Sequence, residues 1–475
     1  MPGSVFIIGA GPAGLTAAYE LNKVFDGDIS LCDLDSQVGG ISRTVYRNGW
    51  RFDIGGHRFF SKSKLVNNLW DEMLSPEVFE LRPRKSRIYY RGKYFDYPLK
   101  PLNALLSLGI LESALCILSY FWVKICPPKD QSTFEGWVAA RFGWRLYRIF
   151  FKTYTEKVWG ISTLQLKSTW AAQRIKNLSL FGAIKDAFGI KHKELVTTLI
   201  DSFKYPKLGP GQLWEIVASK LESNGISIKL NTKIEHITFI NEKYLINLND
   251  NSEFEANGVF SSMPLCDVPS LLGAPREIML AAQKLKYRDF LIVALPVQAT
   301  EELFDDNWIY IHDSTVKVGR IQNYLSWSPY LVNSGTSCLG MEYFVNKFDE
   351  IWSASDSDLI DLARKELNLL GLNCEFLSEG YVVRVEKAYP VYDDNYFEAT
   401  NQIKHWLNEA HPNWFQIGRN GQHHYNNQDH SMLTAYHAVR NFLGLQDGDF
   451  WNVNIGNDYH EEINNSRQAP IYPSS

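Results

Sequence analysis

The sequence predicts an α/β fold with α+β insertions, in which a parallel sheet is assembled from separate stretches of one chain. Three observations lead to this prediction. Residues 5–33 show a strand, a glycine-rich turn, a helix and a second strand. Residues 62–200 are mainly helical in pattern, and strand patterns return between residues 226 and 262. A last glycine-rich turn at residues 418–421 precedes another helix, so the sheet is expected to be completed near the end of the chain.

Length and composition narrow the class of protein. The chain has 475 residues, of which 45% are hydrophobic, and two or three compact units are expected. Its net charge of −5 argues against nucleic-acid binding. The six cysteines show no C-x-x-C pattern, and His423, His424 and His430 lack a ligand spacing, so we expect reduced thiols and no metal site. No basic segment precedes the first strand, so we expect no signal peptide and a cytoplasmic location.

The first turn has the pattern of a dinucleotide-binding site. Gly9, Gly11 and Gly14 form a G-x-G-x-x-G between an apolar strand and a helix, which is the context the motif needs. These glycines permit a tight turn, close approach to a pyrophosphate, and packing of the helix on the strand. The helix N-terminus favours the anion. Asp33 ends the second strand, where its carboxylate would accept hydrogen bonds from ribose hydroxyls and disfavour a 2′-phosphate.

A second glycine turn follows the second strand. Gly39 and Gly40 are followed by Ser42 and Arg43. This segment resembles the second phosphate- and ribityl-contacting segment of glutathione-reductase-type flavoproteins, especially those of the amine-oxidase branch. The resemblance implies that the cofactor is FAD and that the first unit is a glutathione-reductase-type Rossmann domain.

The order of patterns predicts that this FAD-binding domain is discontinuous. We expect it to comprise residues 1–62, 205–270 and 413–460, with a mainly helical substrate domain at 63–204 and a sheet-containing substrate domain at 271–412. A hairpin with its turn at Arg91-Gly92 is expected to interrupt the helical unit. Residues 461–475 are polar and are expected to form a loose tail.

Residues 104–123 are apolar except for Glu112 and a few serines, and the stretch is about long enough to span a bilayer. There are four alternatives for this stretch: a membrane span, a peripheral membrane contact, a buried helix, or two short helices that meet near Gly109. Because a charge in the middle of a span is costly, Glu112 favours the last two.

A longer set of motifs carries a closer resemblance. Residues 53–61, with Gly55, Gly56 and His57, resemble the flavin-edge segment of UDP-galactopyranose mutases and are also similar to protoporphyrinogen-oxidase-like proteins. Further segments follow in the order seen in the larger, eukaryotic-type mutases. They are Phe95 to Pro98, Thr133 to Trp137, Phe150 to Gly160, Trp170 with Arg174, Tyr310 with Arg320, Tyr389-Pro390, and Gly418 to Ser431.

The resemblance covers roughly residues 4–445 and implies an FAD domain, a helical domain and a sheet domain around a central cleft. It implies a mutase of nucleotide-diphosphate sugars, in which N5 of reduced FAD attacks the anomeric carbon and the sugar ring interconverts between pyranose and furanose. NAD(P)H is a candidate external reductant, and a homo-oligomer is expected. Lys100, Thr155 and Ile200 do not match the uridine-holding positions of the mutases, so the nucleotide and the sugar stay open.

The motifs assign candidate site residues. His57, Arg174 and Arg320 are the candidate catalytic residues, with the two arginines expected to pair with the diphosphate because guanidinium groups bind phosphate bidentately. His57 is expected to face the cofactor, and His430 to support its loop. The candidate cofactor-binding residues are Gly9, Gly11, Ala13, Gly14, Asp33, Gly39, Gly40, Ser42, Arg43, Gly55, Gly56, His57, Arg419, Asn427, Asp429 and Ser431. The candidate substrate-binding residues are Tyr97, Trp159, Arg174, Tyr310, Arg320, Tyr389 and Tyr425.

Two other functions remain open at this point. One is an FAD-dependent oxidoreductase of the amine oxidase or protoporphyrinogen oxidase type, which the same flavin motifs and the apolar stretch at 104–123 would also suit. The other is a flavin-binding protein without catalysis. Arg174 and Arg320 discriminate between a mutase and an oxidase, because an oxidase of apolar amines or porphyrinogens does not need two arginines to bind a diphosphate.

Overall fold

The computed structural model describes residues 3–97, 99, 101–168, 198–199, 201–445, 448–453 and 462–463. Trp170 and Arg174 lie outside the described residues, as do Pro98, Lys100 and Ile200. The strands are β1 Ser4–Ile8, β2 Asp28–Cys32, β3 Thr44–Arg47, β4 Trp50–Asp53, β5 Phe79–Pro83, β6 Ser86–Tyr90, β7 Lys93–Asp96, β8 Thr198–Leu199, β9 Ser202–Pro206, β10 Ser227–Lys229, β11 Ile234–Ile240, β12 Lys243–Leu248, β13 Glu253–Ala256, β14 Gly258–Ser261, β15 Tyr287–Gln298, β16 Trp308–Ile311, β17 Arg320–Asn323, β18 Thr336–Val345, β19 Tyr381–Pro390, β20 Trp414–Gln416 and β21 Glu462–Ile463.

Helices connect and cover these strands. They are α1 Pro12–Val24, α2 Lys64–Met73, α3 Pro101–Leu108, α4 Ile110–Ile125, α5 Phe134–Phe142, α6 Trp144–Tyr147, α7 Thr153–Trp159, α8 Gly211–Ser223, α9 Val268–Leu271, α10 Arg276–Lys284, α11 Tyr324–Trp327, α12 Glu350–Ser353, α13 Asp356–Leu369, α14 Tyr396–Ala410, α15 Gly418–Gly421 and α16 Gln428–Phe442. A π-helical turn, Arg148–Lys152, joins α6 to α7.

A five-stranded parallel sheet, in the order β10-β2-β1-β14-β20, holds the first glycine turn. Its strands come from three distant stretches of the chain, as the sequence pattern predicts. Helices α1, α8 and α16 pack on one face, and the small antiparallel sheet β11-β12-β13 packs with α10 and α14 on the other. Because both faces are covered, the central strands are short apolar runs rather than alternating ones.

A second, seven-stranded sheet has the strand order β19-β15-β18-β17-β16-β6-β7. The hairpin β6–β7 turns at Arg91 and Gly92, which have φ of 49° and 74°, so the predicted turn is confirmed. This hairpin, which the sequence assigned to the helical unit, pairs β6 parallel to β16 and becomes the edge of the sheet. Glu462 and Ile463, in the stretch expected to be a loose tail, pair with Thr198 and Leu199.

The apolar stretch at 104–123 forms α3 and α4, which meet at Gly109 with a φ of 90°. The two-helix alternative is therefore confirmed, and a single buried helix is wrong. Ile110 and Leu111 are 94% and 77% exposed, so much of α4 lies on the surface. Among the described helices, none combines the length and the apolar character needed to cross a bilayer.

Candidate functional site

A cavity of about 690 Å³ opens at the carboxyl ends of β1 and β2, where open parallel sheets bind their ligands. Its volume falls within the range of small-molecule and cofactor sites. Both glycine turns, the segment after β4, one end of the seven-stranded sheet and the N-terminus of α16 line it together. The cavity therefore joins residues from across the chain.

The first glycine turn has the geometry that its motif predicts. Gly9 has a φ of 102°, and a Cβ on it would lie 2.1 Å from the Ser262 hydroxyl. A Cβ on Gly14 would lie 1.8 Å from the carbonyl oxygen of Gly9, so only glycine lets α1 pack this close. Gly11 lines the cavity, and a Cβ there would make only an ordinary van der Waals contact, with the Gly40 Cα at 3.7 Å. Gly9 and Gly14 thus shape the turn, and Gly11 faces the cavity.

The second glycine turn lies directly against the first. The Gly39 amide donates to the Ala10 carbonyl at 2.8 Å, and Gly40 lines the cavity opposite Gly11. Arg43 donates to the Gly40 carbonyl at 2.8 Å and pairs with Asp35 at 2.9 Å. Burial lowers the pKa of Arg43, although Asp35 opposes this shift. The two turns form one cradle of backbone N–H groups at the start of α1, which suits a pyrophosphate.

Asp33 follows β2 and lines the cavity. Its two carboxylate oxygens accept from the backbone amides of Ala10 at 2.6 Å and Asp35 at 2.7 Å. Burial raises the pKa of Asp33, while these two backbone hydrogen bonds act in the opposite direction. The carboxylate therefore fixes the glycine turn as well as lining the cavity.

The segment that follows β4, residues 54–57, is held by a buried carboxylate. Asp53 is fully buried and accepts hydrogen bonds from Thr44 at 2.7 Å and from the Tyr205 hydroxyl. Burial raises the pKa of Asp53 to about 7. This network joins β3, β4 and β9, and so fixes the direction in which residues 54–57 leave β4.

Gly55, Gly56 and His57 bring backbone and an imidazole to the inner part of the cavity. A Cβ on Gly55 would lie 3.5 Å from the His57 ring and 3.8 Å from the Arg320 guanidinium. A Cβ on Gly56 would meet the Trp308 ring at 3.0 Å. Burial, with Arg419 and Arg320 nearby, lowers the pKa of His57 to about 3. The imidazole is therefore neutral at neutral pH and suits contact with a cofactor better than general-base work at that pH.

Arg320 lies in a row of polar residues across the seven-stranded sheet. Tyr310 pairs with Arg320 across β16 and β17, and Arg320 pairs with Glu342 across β17 and β18. The Arg320 guanidinium binds the fully buried Glu342 carboxylate, which also accepts from Gln322. Burial raises the pKa of Glu342 and Arg320 opposes this. Burial alone would lower the pKa of Arg320, but Glu342 and nearby tyrosines raise it, so the guanidinium stays charged.

Tyr389 and Tyr425 line the cavity with their rings stacked 5.8 Å apart. The Arg419 guanidinium lies 4.7 Å from the Tyr425 ring centroid and donates to the Asn426 carbonyl at 2.8 Å. Burial raises the pKa of Tyr389, so its hydroxyl keeps its proton and can donate a hydrogen bond. Two phenols and two guanidinium groups thus converge near His57.

The N-terminus of α16 closes the cavity. Asn427 is its N-cap, and His430 Nδ1 accepts from the Asn427 amide at 3.3 Å, so His430 holds the start of this helix. Asp429 and Ser431 line the cavity, and Ser61 donates to Asp429 at 3.1 Å. Gly418, with a φ of 77°, allows close contact with Ala13 on α1. Within the described residues, no three or more His, Cys, Asp or Glu side chains come together in a way that could hold a metal ion.

The structure separates some predicted site residues from the cavity lining. Gly14 and Gly39 shape the turns without lining the cavity. Tyr310 lies behind Trp308 and contacts Tyr97, their ring centroids being 4.5 Å apart. Trp159 is 3% exposed and packs in the core of the helical region. Arg174 lies outside the described residues.

Sequence reasoning missed several residues at the site. Trp308 lines the cavity, and the Arg58 guanidinium lies 3.7 Å from its ring centroid. Arg58 directly follows His57, so extending that motif by one residue would have included it. Trp308 lies two positions before Tyr310 on the same strand, so the alternation of side chains along a strand would have placed it on the same face. Glu342 lies far from any motif and carries no local signal.

Comparisons with known proteins agree with this arrangement. The model of the NAD(P)-binding Rossmann-like domain family matches residues 7–73. Coproporphyrinogen III oxidase of Staphylococcus aureus is 22% identical over 457 residues, which cover 87% of this chain and 93% of that protein. The structure is similar to that of reduced UDP-galactopyranose mutase, with a TM-score of 0.84, 22% identity, and 96% and 99% of the two chains covered.

A protein of Exiguobacterium sp. 255-15 that is described as a protoporphyrinogen oxidase is similar with a TM-score of 0.74 and 14% identity, over 93% of this chain and 99% of that one. The Rossmann unit, the two facing glycine turns and the size of the cavity fit FAD. The predicted resemblance is thus confirmed at the level of the fold, which this chain shares with UDP-galactopyranose mutase and with the protein described as a protoporphyrinogen oxidase.

Proposed function

We propose that the chain is an FAD-dependent nucleotide-sugar mutase that interconverts the pyranose and furanose forms of a sugar attached to a nucleoside diphosphate. The observation that carries this proposal is the charged guanidinium of Arg320 beside Gly55, His57 and Tyr389. When bound and reduced, FAD supplies a nucleophilic nitrogen. NAD(P)H is the external reductant that we propose.

The residues would perform three tasks. Arg320 would bind a diphosphate that carries about two negative charges, because guanidinium groups pair bidentately with phosphate oxygens. Tyr389 and Tyr425 would donate hydroxyl hydrogen bonds to the same oxygens and hold the leaving group. Trp308, with neighbouring apolar side chains, would exclude water and so protect the sugar from hydrolysis.

The second candidate function is oxidation of a porphyrinogen by FAD. It is favoured by the 22% identity to a coproporphyrinogen III oxidase along 93% of that protein's length. Arg320 is compatible with both candidates, because a guanidinium pairs with a diphosphate or with the propionate carboxylates of a porphyrinogen, so the reaction itself must separate them.

One experiment separates the two candidates. The flavin-loaded protein is reduced anaerobically with dithionite and incubated with UDP-galactopyranose and a panel of other nucleotide sugars, and furanose products are identified by NMR. In parallel, the oxidised protein is mixed with coproporphyrinogen III and protoporphyrinogen IX in air, and porphyrin fluorescence is recorded. Isomerisation only with the reduced flavin supports the mutase. Porphyrin formation faster than in an enzyme-free mixture, without any isomerisation, refutes it.

A further inference from the structure

Helix α4 carries an apolar stripe on its outward side. The stripe consists of Leu111, Leu118, Phe121, Trp122 and Ile125, all more than half exposed. Their spacing of three, four and seven residues places them along one side of the helix. An exposed apolar surface that contains aromatic residues marks an interaction site more often than chance exposure does.

The opposite side of α4 fixes the helix in this orientation. Cys116, Tyr120 and Val123 are buried against α5 and α6. Gly143 lies so close that a Cβ on it would come within 2.8 Å of the Tyr120 amide. Glu112 pairs with Arg145 on α6, with one contact at 2.9 Å. The helix cannot turn its stripe inward without breaking these contacts.

The stretch of chain that contains α4 is basic in an acidic protein. Residues 91–152 contain nine lysines and arginines and four acidic residues, for a net charge of +5. The whole chain has a net charge of −5, so the remainder has −10. Such a basic region beside an apolar stripe favours an anionic partner.

A second cavity, of about 380 Å³, lies beside α4. Arg91, Lys93, Arg145 and Arg148 line it, together with Glu112. Lys93 donates to the Ser107 carbonyl at 2.9 Å, and Arg145 is paired with Glu112. Arg91 and Arg148 are exposed. Basic pockets next to apolar surface suit the phosphate of a lipid headgroup.

We propose that α4 docks this protein peripherally on an anionic phospholipid bilayer, with the stripe in the acyl boundary and a headgroup phosphate in the basic cavity. Trp and Phe residues with flanking lysines are typical of helices that lie in the plane of a membrane surface. A second copy of the chain fits less well, because a two-fold contact through this face would bring two regions of like charge together. The inference does not depend on the proposed mutase function.

The test uses the full-length, flavin-loaded protein and vesicles of phosphatidylcholine alone or mixed with phosphatidylglycerol. We expect co-sedimentation with the mixed vesicles, at least tenfold weaker binding to phosphatidylcholine alone, and loss of binding at high salt. Trp122→Ser/Ile125→Ser should lose at least tenfold in vesicle affinity, and Arg148→Gln should lose affinity by a smaller factor. Phe348→Ser is the matched control, since Phe348 is 97% exposed and lies outside α4.

Three results would overturn the proposal. The first is failure of the wild-type protein to bind either vesicle. The second is vesicle binding that Trp122→Ser/Ile125→Ser and Phe348→Ser affect equally. The third is conversion of a dimer to a monomer by the α4 double variant, in light scattering, with vesicle binding unchanged, since this would assign the stripe to a second copy. Thermal unfolding of each variant checks that the fold is retained.

Discussion

Replacing Arg320 by alanine tests whether one guanidinium both neutralises a buried carboxylate and binds phosphate. Glu342 is fully buried and pairs with Arg320. Removing one partner of a buried ion pair leaves an uncompensated charge, which costs about 3–5 kcal/mol. We therefore expect the free energy of unfolding of Arg320→Ala to fall by about that amount at neutral pH. Loss of a desolvated phosphate contact should weaken nucleoside diphosphate binding by about 2–5 kcal/mol.

A second variant separates the two effects. In Arg320→Ala/Glu342→Gln no buried charge is left unpaired, and Gln can still accept a hydrogen bond from Gln322. Most of the lost stability should return, while the binding defect should persist. Urea unfolding measures the first quantity, and calorimetric titration with a panel of nucleoside diphosphates measures the second. Glu342→Gln alone should retain the binding.

Two outcomes would contradict this reasoning. If Arg320→Ala is as stable as the wild-type protein, Arg320 is not the counter-ion that keeps Glu342 ionised. If the double variant binds every nucleoside diphosphate as tightly as the wild-type protein, Arg320 is not a phosphate ligand, and the mutase proposal loses its central contact.

Three further predictions concern the fold and the cofactor. Gly11→Ala should leave the apoprotein's thermal stability almost unchanged but abolish flavin retention, whereas Gly14→Ala should reduce both, because its Cβ would overlap the Gly9 carbonyl. The folded-state pKa of Asp53, about 7, lies above its unfolded value of about 3.8, so the folded state binds more protons. The free energy of unfolding should therefore fall by about 4 kcal/mol as the pH rises from about 4 to 7. Asp53→Asn should remove this fall, as measured by urea unfolding at each pH. Lys157 donates to the carbonyls of Ile311, Asp313 and Val318, so Lys157→Met should reduce the free energy of unfolding by about 2–3 kcal/mol, and an unchanged value would show that these contacts contribute little.

The glycine turns could be predicted from sequence because their backbone demands are local. Gly9 is required by its own positive φ, and Gly14 by its contact with the Gly9 carbonyl in the same turn, so the spacing itself carries the information. The ten-residue spacing of Tyr310 and Arg320 is also a local signal, because the two residues are cross-strand partners on adjacent strands. Glu342 could not be found, since its contact with Arg320 depends on how a third strand pairs.

The orientation of α4 also could not be predicted from the sequence, and here the reason is its composition. Both sides of the helix are apolar, with Cys116, Tyr120 and Val123 on one side and the stripe on the other. Periodicity therefore identifies the helix but not which side faces the core. The position of Trp159 could not be predicted either, because a tryptophan followed by glycine gives the same sequence pattern whether it lines a cavity or packs in a core.

The three-part assembly of the parallel sheet has a consequence for how the protein is made. Gly418, which packs against Ala13, is synthesised about 400 residues after it, roughly 20–80 s later at the usual rates of translation. Until β20 is made, β14 is an open sheet edge and the first glycine turn lacks one of its walls. Cofactor loading is therefore expected to follow the synthesis of β20, and nascent chains that stop before residue 414 should depend on chaperones.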